Sequence, residues 1–174
     1  GGHSSGAGMA LRFAGGPHAE LVDGYLLMAP AIPGSPALRE ASGGWAIVHS
    51  KRLYGLLFLN VLGVHLFDGL PVITFNIPSS VEDGTQTANY SHRLNLSYHP
   101  RFPAKRDLAR LPRETLVLIG GRDEAIDAEA LTELFARHAP EVEVETVAPL
   151  NHFKILVDAG VLATVQRWLR TTAR

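Results

Sequence analysis

Three side chains far apart in this chain have the types needed for acyl transfer: Ser4, Asp123 and His152. Serine is a weak nucleophile at its own pKa. It needs a base within hydrogen-bond reach and a third group to hold that base in the right tautomer. Ser4 sits at the centre of Gly2-His3-Ser4-Ser5-Gly6, which fits the G-x-S-x-G pattern of a nucleophile elbow, a sharp strand-to-helix turn that leaves the serine oxygen exposed. The glycines have a steric reason to be there, because the turn is strained and the following helix runs close to the strand. The backbone N–H of Ser5, next after the serine and at a helix N-terminus, would face the oxyanion of a tetrahedral intermediate. The same residues also read as a Gly/Ser-rich flexible segment or the remnant of a tag. An acid in Gly120-Gly121-Arg122-Asp123 and then a histidine in Leu150-Asn151-His152-Phe153 favour the elbow. Glu124 and Asp127 compete with Asp123 for the role of acid. Glu124 is expected to point away from its neighbour, and Asp127 to cap a helix starting near Ala128.

The elements between these residues must bring them to one edge. Ala7–Ala14 reads as a short helix stopped by Gly15-Gly16-Pro17, where glycine supplies the turn and proline cannot continue the helix. Gly24–Pro30 and Thr115–Gly121 are short, continuously apolar runs, as expected of parallel strands covered on both faces. Ala128–His138 is amphipathic, with Leu131, Leu134 and Phe135 on one face, and Val161–Leu169 closes the chain as a helix with Val161, Leu162, Val165, Trp168 and Leu169 turned inward. Glu141–Val147 alternates strictly, as an edge strand with one wet face would. This alternation of strand and helix indicates a mostly parallel sheet. Asp123 then falls beyond the carboxyl end of its strand, where ligands gather in open α/β sheets, and His152 falls between the last strand and the last helix.

The middle of the chain is different. Pro33-Gly34-Ser35-Pro36 opens a loop, and Arg39–Trp45 carries no clear period. Leu53–Phe67 is the most apolar segment, too short and too interrupted by Gly55, Asn60, Gly63 and His65 to span a bilayer. It reads as a buried helix or as a lid helix lining an acyl pocket. Pro71–Pro78 reads as an extended segment closed by prolines, and Glu82–Thr85 as a turn leading into Gln86–Ser97. There Tyr90, His92 and Arg93 form a polar helix face or line a substrate entrance. Arg101, Lys105 and Arg106 belong to a basic return segment, Arg101–Pro112, that reads as a solvated connector or as a phosphate contact.

Composition narrows the classes. In 174 residues, 46% are hydrophobic and 19% charged, and the net charge is −1, which gives no electrostatic case for nucleic acid. There is no cysteine, which excludes disulfides, thiolate metal sites and a cysteine nucleophile. The compartment stays open, with the cytoplasm the default expectation.

Gly2-His3-Ser4-Ser5-Gly6, the run Leu116–Asp123 and Asn151-His152-Phe153 resemble the second half of an α/β-hydrolase of the lysophospholipase or monoacylglycerol-lipase-like group, also described as serine-aminopeptidase-like hydrolases. The resemblance implies an elbow, helix and strand of the hydrolase core over 1–30, an inserted cap over 31–112 and the C-terminal core over 113–174. It implies Ser4 as nucleophile, His152 as base and, on the match of Gly-x-x-Asp, Asp123 as the orienting acid. A small-molecule ester with a lipid-like or medium-chain acyl group is the implied substrate, with no metal and no organic cofactor. In that fold several strands precede the elbow, so the strands and the loop carrying the second oxyanion donor are expected outside this sequence. The missing N-terminal part of the fold is then the expected partner of the open sheet edge. Amide or peptide cleavage by the same triad, and a non-catalytic binding module on the same fold, remain the rivals.

Overall fold

The structure is a computed structural model that describes residues 1–39, 44, 46–77, 82 and 84–172. Most of the aperiodic stretch before residue 46, the closing proline at 78 and the aspartate of the turn at 82–85 lie outside the described residues. In chain order the elements are β1 (Gly2–His3), α1 (Ser5–Ala14), β2 (Tyr25–Met28), β3 (Ala46–Val48), α2 (Ser50–Val61), β4 (Pro71–Phe75) and β5 (Asn89–Ser91). There follow α3 (His92–Tyr98), α4 (Lys105–Leu108), β6 (Thr115–Gly120), α5 (Ala128–His138), β7 (Glu143–Val147) and α6 (Ala159–Thr172), with 3-10 turns at Ala19–Leu21 and Lys154–Leu156. They divide into two compact units, Gly1–Arg39 with Tyr98–Arg174, and Glu40–Ser97.

The first unit holds a four-stranded parallel sheet in the order β1-β2-β6-β7. All six residues of β6 are buried, as a central parallel strand covered on both faces requires. Leu116 and Leu118 pack with Leu150, Ile155 and Val161, against Leu26, Met28, Val147, Val165 and Trp168. α5 buries Leu131 and Phe135, and its first turn is capped by the Asp127 carboxylate, which accepts from the Ala130 N–H at 3.1 Å. α6 turns a narrower stripe inward than its apolar residues suggest. Val161 and Thr164 are buried and Val165 and Trp168 pack on the core, while Leu162 and Leu169 are exposed, because positions 162 and 169 lie about 100° round the helix from 161 and 168. β7 is an edge of this sheet among the described strands, and its Glu143 is exposed.

This unit reaches further into the middle of the chain than the 1–30 and 113–174 segments. Ala31, Ile32 and Ala37 are buried, Leu38 bridges to Ile126, and Asp107 and Leu108 of α4 are buried too. Asp107 lies so close to α1 that a Cβ on Gly15 would come within 2.6 Å of it. It also accepts from the backbone and guanidinium of Arg101, at 2.7 and 2.5 Å. Arg101 is therefore held in an ion pair with the buried Asp107.

The second unit contains the antiparallel sheet β3-β4-β5. Its apolar segment departs from the buried-helix expectation: α2 ends at Val61, only its Leu56 is buried, and Tyr54, Phe58, Leu62 and Leu66 are exposed. A three-stranded sheet this small covers one stripe of such a helix and leaves the rest open. A polar network ties the end of the segment down. Asn60 Nδ2 donates to Asp68 Oδ1 at 2.8 Å, His65 Nδ1 donates to Asp68 Oδ2 at 3.1 Å, and His92 Nε2 donates to Asn60 Oδ1 at 2.9 Å. The bonds from Asn60 and His65 hold the Asp68 carboxyl below its usual range. His92 is fully buried in this network and does not belong to an exposed polar face.

Candidate active site

The chain turns from β1 into α1 at Ser4, which has φ 53° and ψ −116°. A side chain at positive φ is strained, and such residues persist where surrounding bonds fix them. Here the Ser4 N–H donates to Met28 O at 2.9 Å, and its carbonyl accepts from Gly8 at 3.0 Å and Ala31 at 3.1 Å. The other described non-glycine residue at positive φ is Ala29, at the carboxyl end of the adjacent strand β2. Close packing explains part of the glycine pattern. A Cβ on Gly2 would lie 2.3 Å from the Gly6 carbonyl carbon, and one on Gly8 would lie 2.8 Å from Ala31 O. A Cβ on Gly6 would meet nothing within 4 Å, so its steric role is not required within this chain. α1 has no acidic residue in its first turn, and the Ser5 N–H belongs to the opening turn, where helices have donors to spare.

Asp123 follows β6 and His152 follows β7, and the two loops are stitched together. Arg122 N–H donates to Leu150 O at 2.9 Å, and Gly121 N–H to Val147 O at 3.1 Å. The approach needs Gly120, since a Cβ there would stand 2.5 Å from Leu150 O. The result is a buried pair. His152 Nδ1 donates to Asp123 Oδ2 at 2.8 Å, with His152 6% and Asp123 4% exposed. The other oxygen, Asp123 Oδ1, accepts from the N–H groups of Ala125 and Ile126 at 2.9 and 2.8 Å, which fixes the carboxylate rotamer. With Nδ1 protonated toward the carboxylate, the Nε2 of a neutral His152 is left as the basic nitrogen.

Asp123 and His152 are thus brought together, and Asp127 is the α5 cap. Ser4 comes to the same sheet edge through its neighbour: His3 Nε2 donates to His152 O at 2.8 Å, and the two rings stand 4.5 Å apart. No hydrogen bond joins the Ser4 hydroxyl to the His152 imidazole among the described residues. Burial, and then the neighbouring His152, lower the pKa of His3 to about 4. Sequence reasoning missed His3 and misplaced Glu124, whose Oε2 accepts the His152 N–H at 3.1 Å. Neither type nor spacing signals such contacts before the fold is known. Tyr90 packs edge-on against Phe75 in the second unit, with ring centroids 4.6 Å apart. Among the described residues no cluster of histidine and carboxylate side chains could hold a metal ion, and no helix is long and apolar enough to cross a membrane.

A family model described as the alpha/beta hydrolase family matches residues 1–170. No curated protein matches the chain in sequence. Among solved structures, a monoacylglycerol lipase from Paleococcus ferrophilus is similar at a TM-score of 0.66 and 19% identity, covering 97% of this chain and 66% of that one. A protein from Burkholderia cenocepacia assigned as an aryl esterase is similar at a TM-score of 0.63 and 15% identity, over 99% of this chain and 63% of that one. A meta-cleavage product hydrolase is similar at a TM-score of 0.54 and 17% identity, over 98% and 64%. The chain therefore spans slightly less than two thirds of these structures, and at such identities the likeness is one of fold.

Proposed function

Because the chain belongs to the alpha/beta hydrolase family, we propose that it supplies the Ser4, His152 and Asp123 triad of a serine hydrolase acting on carboxylic esters. The observation that carries this reading is the buried Asp123–His152 pair, on the sheet that also presents Ser4 at a strained strand-to-helix turn. His152 Nε2 takes the Ser4 proton as Oγ bonds to the acyl carbon, and Asp123 stabilises the imidazolium that forms. The carbonyl oxygen becomes an anion facing the Ser5 N–H at the positive end of α1. Collapse of the intermediate breaks the ester C–O bond, and the imidazolium gives its proton to the leaving alcohol. Water, deprotonated by the same nitrogen, then attacks the acyl-enzyme and releases the acid and free Ser4.

The Glu40–Ser97 unit is read as the family's inserted cap, on its place in the chain between β2 and β6. Its exposed Tyr54, Phe58, Leu62 and Leu66 support a lipid-like or medium-chain acyl group. A panel of p-nitrophenyl esters of rising chain length against aminoacyl anilides tests the reading. Faster turnover of medium-chain esters is expected, and preference for the anilides would replace the ester assignment by amide cleavage.

A further inference from the structure

We infer that His3 and Glu124 are positioning residues that grip the main chain of His152 from two sides and thereby hold its imidazole on Asp123. This rests on the reading of His152 as the base. Among the described residues neither main-chain group of His152 has a main-chain partner. Its N–H goes to Glu124 Oε2 at 3.1 Å and its carbonyl receives His3 Nε2 at 2.8 Å. A carbonyl only accepts, so the proton of a neutral His3 is on Nε2. The two grips come from different elements, the end of β1 and the loop after β6, while His152 itself stands in the loop after β7. Three parallel strands thus converge on one residue.

The geometry makes this more than a general staple. His152 is followed by Phe153 and the 3-10 turn Lys154–Leu156, so no strand or long helix holds its backbone direction. The imidazole can stay 2.8 Å from Asp123 only if that direction is fixed. His3 also precedes Ser4 directly, so its bond to the His152 carbonyl ties the nucleophile's turn to the base's loop. The ring contact, 4.5 Å between centroids and tilted by 51°, limits how far the imidazole can swing. Misplacement of a reacting group by about 1 Å can cost a hundredfold in rate. The depressed pKa of His3, about 4, agrees with this role, since a neutral His3 adds no second positive charge beside an imidazolium at residue 152.

The test compares H3Q, which keeps an amide donor, with H3L, E124Q, E124A and the pair H3L/E124A. Two readouts are used: the downfield Nδ1 proton resonance of His152 in 15N-histidine-labelled protein, identified by its loss in D123N, and kcat and KM on a p-nitrophenyl ester. The wild type and H3Q should show a sharp resonance. In H3L/E124A it should broaden or vanish while kcat falls by about 10- to 100-fold and KM stays within about twofold. E124Q should keep most of the rate. Should H3L fail to fold, E124A against E124Q carries the comparison alone. An unchanged resonance in the folded double variant, or a fall confined to KM, would overturn the proposal. If the wild type shows no turnover that depends on Ser4, the hydrolase reading fails, and the resonance still decides whether the grip exists.

Discussion

The two units treat apolar residues in opposite ways. In the parallel sheet every residue of β6 is enclosed, and even polar groups there, Thr115 and Asp123, are buried with partners. In the Glu40–Ser97 unit the most apolar segment of the chain leaves Val61 84% and Leu66 83% exposed. Rigid enclosure fixes catalytic geometry, because a close-packed region has few alternative arrangements. An open apolar surface can adapt to a variable partner instead. The contrast separates a unit that encloses its apolar residues from one that leaves many of them open.

The largest effect should come from the enclosed pair. Asp123→Asn keeps an oxygen for the Ala125 and Ile126 N–H groups but offers His152 the wrong partner, so kcat should fall by roughly 10⁴ with an unchanged circular dichroism spectrum. Activity near that of the parent would remove Asp123 from the triad. Next come enclosed positions with no chemistry. Leu118→Ala should cost about 2–5 kcal/mol in urea unfolding, whereas Leu66→Ala should stay within about 0.5 kcal/mol. Equal costs at the two sites would erase the contrast. Glycines of the elbow should split in the same manner. Gly2→Ala puts a methyl group 2.3 Å from the Gly6 carbonyl carbon and should destabilise by more than about 3 kcal/mol. Gly6→Ala faces open space in a helix and should be neutral or stabilising by up to about 1 kcal/mol.

The smallest effect is a slope with pH. The folded pKa of His3 is lowered to about 4 from an ordinary 6.5, by burial and by the charge of His152, with the hydrogen bond to the His152 carbonyl and then Asp123 opposing. The unfolded chain therefore binds more protons between these values. This contribution to stability is fully present above about pH 6.5 and is lost as pH falls through 4. His99, lowered to about 4 by burial and by Arg12, adds a slope of the same sign. Melting curves from pH 4 to 7 should show a shallower dependence in H3Q than in the wild type. Equal slopes would mean that His3 does not stay neutral when folded.

Much of the first unit was legible in the sequence, because parallel strands buried on both faces leave unbroken apolar runs such as Tyr25–Met28 and Thr115–Gly120. Asp127 as cap followed from residue type and its place before the α5 helix, whereas the choice of Asp123 to face His152 came from the resemblance of Gly-x-x-Asp to the family's pattern. The unit's extent was harder to read. Ala31, Ile32 and Asp107 lie outside any periodic run, and only the tertiary contacts show that they belong to this core. Leu162 and Leu169 were assigned inward by type, which fails when the neighbouring sheet covers a single stripe of the helix. The roles of His3 and Glu124 depend on contacts with His152 across 149 and 28 residues of chain, and no local pattern encodes them. The exposure of α2 was equally hidden, since apolarity reports a need for cover and not what supplies it.

The most direct measurement of the central claim is labelling by a fluorophosphonate probe, followed by mass spectrometry of the modified peptide, on the wild type, S4A and H152A. Labelling of the wild type at Ser4, abolished in S4A and slowed by orders of magnitude in H152A, is the result expected of a serine activated by this histidine. A folded wild type that takes up no label, or takes it up at Ser4 equally well without His152, would contradict the account.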